Sequence, residues 1–208
     1  MSKEQFNKQK LDVLKEVGNI CAGNATIALA QILFKRIELQ TPIVKILTVE
    51  DITKILYKDE HNIIGIQMET LGAITGHVLL LFTEKSAYNL MEILIGYGTE
   101  QPKFITQIGI SSLKEIGNIV ISSYLSTLSS LSRLAVFPSC PQFTEGLPGA
   151  VFKSVFGAMG DKEAKLILIE TIFTEQATSV NGNFFIAFDS KSMQLILKAC
   201  EKNLSKEK

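Results

Sequence analysis

The spacing of hydrophobic residues near the start of the chain predicts one long helix, from about Gln5 to Leu33. At about 100° per residue, its apolar side chains fall on one face, which we expect to be buried. That face comprises Leu14, Val17, Cys21, Ala25, Ala28 and Ile32, with Leu11 and Leu29 at its margin. The opposite face begins polar and continues with small residues: Asp12, Glu16, Asn19, Gly23, Thr26 and Ala30. A face of this kind is flat enough for another backbone to approach closely.

Alternating and periodic patterns after this helix predict a strand, a β-hairpin and a helix, and a similar order follows in the second half. The first set is a strand over 43–49, hairpin strands over 63–70 and 76–83, and a helix from Ser86 that Gly96 ends. The second set is a long helix from Thr106 or Ser111 to Leu131, a break at Pro138 and Pro141, an extra helix over 145–159, hairpin strands over 165–171 and 183–188, and a helix over 190–200.

This repeated order predicts a duplicated unit of about 100 residues rather than a solenoid array. We expect residues 1–208 to form a single domain made of two repeats, about 5–100 and 104–200. The predicted fold class is α/β, a layered α+β arrangement with pseudo-twofold symmetry. Its antiparallel sheet is shared by the two halves, and the two long helices lie side by side on it.

The strongest repeat is a six-residue motif inside the long helices, KEVGNI at 15–20 and KEIGNI at 114–119. Glu16 and Glu115 are 99 positions apart, and so are Asn19 and Asn118. A glycine costs a helix interior about 1 kcal/mol relative to alanine, and asparagine costs a smaller part of that. A local rule that is broken in the same way twice indicates a site or a tight packing contact.

Glu and Asn three residues apart are neighbours on one helical face, so each motif presents a carboxylate and a carboxamide together. On the second helix they belong to the stripe Ser111, Glu115, Asn118, Ser122, Leu125 and Ser129. An alternative is that Ser112 and Glu115 form a capping box that only starts the helix. The first copy has Val13 at the equivalent position, which cannot cap, yet it keeps Glu16 and Asn19.

Such a pair suits the positioning of a water molecule against a phosphoryl group. A carboxamide is a poor base, but it can donate to one group and accept from a water proton. Orientation and electrostatics supply most of the catalysis in phosphoryl transfer. A carboxylate about 4 to 5 Å further along the helix could bind a lysine of the substrate. This chemistry is compatible with the motif without being the only one.

Composition excludes several other classes. The 21 basic residues balance the 21 acidic ones, so nucleic acid is not an expected partner. The three cysteines show no CxxC spacing, and Cys21 falls on the core face, so we expect a buried thiol. The two histidines, His61 and His77, give little support to a metal cluster or a catalytic triad. No stretch approaches the roughly 18 apolar residues of a membrane span, so we expect a cytoplasmic protein that does not enter the membrane.

At these residues the sequence resembles the CheC family of bacterial chemotaxis phosphatases. The resemblance covers almost the whole chain: the doubled Glu-x-x-Asn helix, the Gly-Asn-Ala at 23–25, the length, and the GlyAlaValPhe segment at 149–152. It implies an enzyme of two-component signalling that hydrolyses the aspartyl phosphate of CheY-like response regulators. Asn19 and Asn118 would each orient the attacking water, while Glu16 and Glu115 would each hold the regulator's active-site lysine. The Mg²⁺ would come with the regulator, and the chain would need no cofactor of its own.

The resemblance also names CheD, the receptor deamidase, as a partner of some members. Many members carry an acidic residue just before Met/Leu-Ala-Gly-Ala, where this chain reads Glu145, Gly146, Leu147, Pro148, Gly149 and Ala150. The carboxylate is displaced, so binding of CheD stays open. Two function classes therefore remain. One is a phosphatase, and the other is a non-catalytic chemotaxis adaptor that binds CheD or a receiver domain.

Overall fold

The computed structural model describes residues 3–48, 50–51, 61–96, 105–159, 165–175, 177 and 180–204. Within these ranges the elements are, in chain order, α1 (Lys3–Leu33), β1 (Glu38–Leu39), β2 (Ile43–Thr48), β3 (Ile63–Gly72), β4 (Gly76–Thr83), α2 (Glu84–Ile95), α3 (Gln107–Ser132), β5 (Val136–Pro138), β6 (Gln142–Gly146), α4 (Pro148–Phe156), a 3₁₀ turn (Gly157–Met159), β7 (Lys165–Glu175), β8 (Val180–Phe188) and α5 (Ser190–Leu204). The long helices, both hairpins and both closing helices lie close to their predicted positions. The sequence also predicts a linker over 51–62, and most of it lies outside the described residues.

The described strands form one antiparallel sheet that both halves of the chain share, as predicted. Its order is β1-β7-β8-β4-β3-β5, with β2 also paired to β7 and β6 also paired to β3. The central pair is β4 with β8, in a register that sets Val78 opposite Ile186. Outward from this pair, each side has the outer strand of one hairpin and then two short strands. The division into two repeats stays a prediction.

Each long helix lies on the hairpin of the other half. Helix α1 contacts β1, β2 and β7, whereas α3 contacts β3, β5 and β6. The short strands follow the same rule, since β1 and β2 pair with β7 while β5 and β6 pair with β3. Helices α1 and α3 also pack against each other, which confirms the predicted side-by-side arrangement. The two halves are therefore interlocked.

Both faces of the sheet are covered by helices. On β4, Val78, Leu80 and Phe82 belong to the core beneath the long helices, whereas Leu79 and Leu81 belong to a second core formed with α4. A strand that is buried on both faces reads as a continuous apolar run, which explains the Leu-Leu-Leu-Phe sequence in β4. Stacked rings of Tyr124 and Phe184, 4.6 Å apart, join α3 to β8 on the long-helix side.

The start of α3 shows that the capping-box interpretation of Ser112 is wrong. The helix begins at Gln107, and the hydroxyl of Thr106 accepts a hydrogen bond from the Gly109 N–H at 3.1 Å. Ser112 lies inside the helix, where its hydroxyl donates to the Ile108 carbonyl at 3.0 Å. Glu115 is therefore free of a capping role at this helix start.

The predicted helix over 145–159 begins too early. Residues Gln142–Gly146 form β6, in which Glu145 pairs with Ile64 of β3, and α4 begins only at Pro148. Proline suits the first helical position because the N–H that it lacks would have no partner there. Pro138 likewise ends β5 rather than marking a simple break. The sequence did not predict the short strands β1, β5 and β6, because strands of so few residues are too short to show a periodic pattern.

The buried face of α1 differs from the predicted one in its later turns. Leu29 and Leu33 are buried there, whereas Ala28 and Ile32 are only half-buried. From Cys21 onward the buried positions recur every four residues, which is more than one turn of about 3.6 residues, so the buried stripe turns slowly around the axis. On α3, Leu125 is fully buried although its stripe was predicted to face outward, because α1, α2 and α5 all pack against this helix.

Candidate functional site

Glu16 and Asn19 lie on the outward face of α1, as the periodicity predicts. Both side chains are exposed. They are three residues apart on one helix, so their backbone positions are about 4.5 Å apart along its axis. Among the described residues, neither side chain has a hydrogen bond or an ion pair. The carboxylate and the carboxamide are thus both available to a partner.

Glu115 and Asn118 occupy the equivalent face of α3. Glu115 is exposed, and Asn118 is half-buried. The Asn118 carboxamide oxygen accepts a hydrogen bond from the Ser122 hydroxyl at 3.4 Å. Glu115 also borders a surface depression lined by Gln107, Ile108, Ser111 and Ser112.

The glycines between these residues face the opposite way, into the sheet. A Cβ on Gly117 would lie 2.3 Å from Cγ2 of Ile66 in β3, which is far inside contact distance. A Cβ on Gly18 would lie 3.1 Å from Cγ2 of Ile169 in β7. Glycine therefore lets each helix approach a strand of the other half closely. The motif combines a packing residue on the buried side with a Glu/Asn pair on the outer side.

The two Glu/Asn pairs are separate sites. Cys21 of α1 lies near Tyr124 of α3, and Ala25 lines a small apolar cavity together with Val120. From the first of these contacts to the second, the residue number rises in α1 and falls in α3. The two helices are therefore antiparallel. In each helix the Glu/Asn pair lies on the N-terminal side of these contacts. Because the helices are antiparallel, the two asparagines are about 12 Å apart along the helix axes. The fold brings together Glu16 with Asn19 and Glu115 with Asn118, but not all four residues.

Cysteine and histidine chemistry finds no support at these positions. Burial raises the pKa of the Cys21 thiol, with a further contribution from Cys200, and burial raises the pKa of Cys200 itself to about 11. Both thiols are neutral near pH 7. Burial lowers the pKa of His77, which lies opposite Glu69 on the neighbouring strand. Across the part of the chain that the structure describes, no three His, Cys, Asp or Glu residues are grouped as metal ligands would be.

Two exposed apolar residues on the same helical faces were not singled out from the sequence. Ile108 is 67% exposed and lies two turns before Glu115, and Ile27 is 56% exposed and lies two turns after Asn19. Each extends the surface next to a Glu/Asn pair by an apolar side chain. Ile108 lies seven residues before Glu115, and Ile27 lies eight residues after Asn19. These helical spacings could have indicated both residues from the sequence.

The described helices include none that is long and apolar enough to cross a membrane.

Known proteins resemble this chain in both sequence and fold. A model of the CheC-like family matches residues 10–46, a range that contains Glu16 and Asn19. The CheY-P phosphatase CheC of Bacillus subtilis (strain 168) is 27% identical over 202 residues, which cover 93% of this chain and 95% of that protein.

Solved structures of other proteins share the fold. FliY of Thermotoga maritima superimposes with a TM-score of 0.76 at 17% identity and covers 98% of each chain. The FliM middle domain of H. pylori superimposes with a TM-score of 0.64 at 14% identity, over 96% of this chain and 99% of that one. The sequence similarity to CheC spans nearly the whole chain and the fold agrees with it, so this chain is similar to the CheC-like family in both sequence and fold.

Proposed function

We propose that this protein is a phosphatase of the chemotaxis system that hydrolyses the aspartyl phosphate of a CheY-like response regulator. The observation that carries the proposal is the repeated Glu/Asn pair, which faces outward on both long helices at Glu16 and Asn19 and at Glu115 and Asn118. The similarity to a curated CheY-P phosphatase over most of the chain supports the same reaction.

In the proposed reaction, a water oxygen attacks the phosphorus atom, and the bond between phosphorus and the aspartate oxygen breaks. The products are the free aspartate side chain and inorganic phosphate, and the proton of the water passes to these products or to solvent. The carboxamide of Asn19 or Asn118 holds the water in line with the breaking bond, because it can accept from a water proton but cannot remove one. The catalytic contribution of this chain is therefore orientation.

Glu16 and Glu115 have a separate role in this proposal. An exposed carboxylate attracts an ammonium group, so each glutamate binds the active-site lysine of the regulator and sets the register of docking. The Mg²⁺ that neutralises the phosphoryl oxygens belongs to the regulator and is part of the substrate. Receiver domains with a lysine and a bound Mg²⁺ beside the phosphoaspartate are accordingly the expected partners.

The test is the lifetime of a phosphorylated CheY-like regulator with a substoichiometric amount of this protein. We expect the parent to shorten that lifetime over many turnovers, and the double variant Asn19→Ala/Asn118→Ala to have no effect. Asn19 is exposed, and Asn118 is half-buried with one long hydrogen bond, so the double substitution should lower the free energy of unfolding by no more than about 1 to 2 kcal/mol and leave the variant folded. Asn24→Ala is the matched control, since Asn24 is exposed on α1 away from the Glu/Asn face.

Full turnover by a folded double variant would contradict the water-positioning role.

The alternative function is a non-catalytic adaptor that binds a receiver domain or CheD. The similarity to the FliM middle domain is compatible with this alternative, because it concerns the fold and not the reaction. It predicts saturable binding of the regulator with an unchanged phosphate lifetime.

A further inference from the structure

The two asparagines have different surroundings although they are equivalent in the repeat. Asn118 is half-buried and accepts the Ser122 hydroxyl at 3.4 Å, whereas Asn19 is exposed. The residue equivalent to Ser122 in α1 is Gly23, four residues after Asn19, and it has no side chain with which to donate. The hydrogen bond that Asn118 accepts therefore has no counterpart at Asn19.

We propose that Ser122 is a positioning residue for Asn118, and that Gly23 leaves Asn19 without one, so that the second site turns over faster than the first. This inference rests on the proposed function. A carboxamide oxygen has two lone pairs, so it can accept from Ser122 and still accept from the attacking water. The bond restricts the side-chain rotamer of Asn118 before the substrate arrives. An exposed asparagine must be ordered during the reaction, at an entropic cost that lowers its rate.

The surroundings of Gly23 allow the reciprocal experiment. A Cβ added to Gly23 would meet no heavy atom within 4 Å, so a serine fits there without displacing a neighbour. Gly23→Ala adds the same Cβ without the hydroxyl and separates the effect of the hydrogen bond from that of helix propensity. In α3, Ser122→Ala removes only the hydroxyl, and Ser122→Thr keeps it.

Each site is measured alone, in an Asn118→Ala background for the first and an Asn19→Ala background for the second. We expect Ser122→Ala to lower kcat of the second site about fivefold with KM unchanged, since a hydroxyl hydrogen bond contributes modestly to orientation. Ser122→Thr keeps the hydroxyl, so it should leave kcat at the value of the single-site parent. Gly23→Ser should raise kcat of the first site by a similar factor, and Gly23→Ala should not.

A second measurement needs no turnover. The side-chain amide of Asn118 should show a higher NMR order parameter than that of Asn19, and Ser122→Ala should bring the two values together. If both single-site parents are active and Ser122→Ala changes neither kcat nor the order parameter, the positioning role is overturned while the proposed function stands. If neither single-site parent has any turnover, the proposed function fails and the positioning role fails with it.

Discussion

Gly18 and Gly117 are the residues at which the repeated motif meets the sheet. Each lies between an outward glutamate and an outward asparagine, and each faces a strand of the other half. The helix propensity lost at these positions, about 1 kcal/mol each relative to alanine, is the cost of that close approach. Glycine here is a packing requirement, which is one of the two interpretations that the sequence left open.

Replacing a glycine with alanine should therefore lower the free energy of unfolding at Gly117 and raise it at Gly23. We expect Gly117→Ala to lower the free energy of unfolding by about 1 to 3 kcal/mol through overpacking against Ile66, and Gly18→Ala to have a smaller effect. Gly23→Ala is the matched control, because nothing lies within 4 Å of its added Cβ, and it should stabilise by about 0.5 to 1 kcal/mol. Urea midpoints with a constant slope give these values. Equal stability of the Gly117 and Gly23 variants would disprove the packing explanation.

The two glutamates give a prediction about binding rather than stability. Glu16→Lys combined with Glu115→Lys places like charges against the lysine of the regulator, and we expect Kd for the phosphorylated regulator to rise roughly tenfold or more. Glu69→Lys combined with Glu145→Lys changes the net charge equally at two exposed positions on the sheet.

Fluorescence anisotropy with a regulator whose active-site aspartate carries beryllium fluoride, a stable mimic of the aspartyl phosphate, measures both Kd values. The effect of the first pair should shrink as salt is added, because charge attraction is screened. An unchanged Kd, or an equal rise in both double variants, would remove the specific role of Glu16 and Glu115.

At the scale of the element, the start of α3 fixes the turns that present the second site. Thr106 caps the helix three residues before Gly109, and about two and a half further turns carry Ser112, Glu115 and Asn118 to the surface. The sequence allowed a start at either Thr106 or Ser111. Only the hydrogen bond to the Gly109 N–H decides between them.

The cap should be visible in the stability of the protein. We expect Thr106→Ala to lower the free energy of unfolding by about 1 kcal/mol, because a backbone N–H of the first turn loses its acceptor. Ser112→Ala should change it by less than about 0.5 kcal/mol, since Ser112 bonds only within the helix. Urea titrations of both variants, monitored by circular dichroism, test the difference. A larger cost for Ser112→Ala would restore the capping box.

At the scale of the whole molecule, the exchange of helices and short strands between the halves couples the two sites to one core. Helix α1 packs on β7, α3 packs on β3, and β4 pairs with β8 at the centre. Neither half can bury its hairpin without the helix of the other. Stability of either site therefore depends on the entire chain.

This arrangement predicts that fragments 1–104 and 105–208 do not fold alone. Each would expose the apolar face of a hairpin and an unpaired sheet edge, so we expect no cooperative transition from either. Mixing the fragments should restore the circular dichroism spectrum and a single unfolding transition like that of the parent. A cooperative transition in an isolated fragment would show that the halves are independent domains.

By itself, the sequence determined the helices, the hairpins and the outward direction of the Glu/Asn pairs. These features follow from local periodicity, which is regular over helices as long as α1 and α3 and over strands as long as β3 and β4. The constant offset between Glu16 and Glu115 also indicated the repeat without any knowledge of the fold. The family resemblance then supplied the expected reaction.

Only the tertiary structure decided which contacts these elements make. Short strands such as β6 exist because β3 offers an edge to pair with, and no pattern of five residues indicates that edge. Leu125 is buried because three other helices surround α3. The same holds for the difference between Asn19 and Asn118, which depends on burial and on one long hydrogen bond to Ser122. Periodicity assigns a side chain to a face of its helix, whereas packing decides what that face meets.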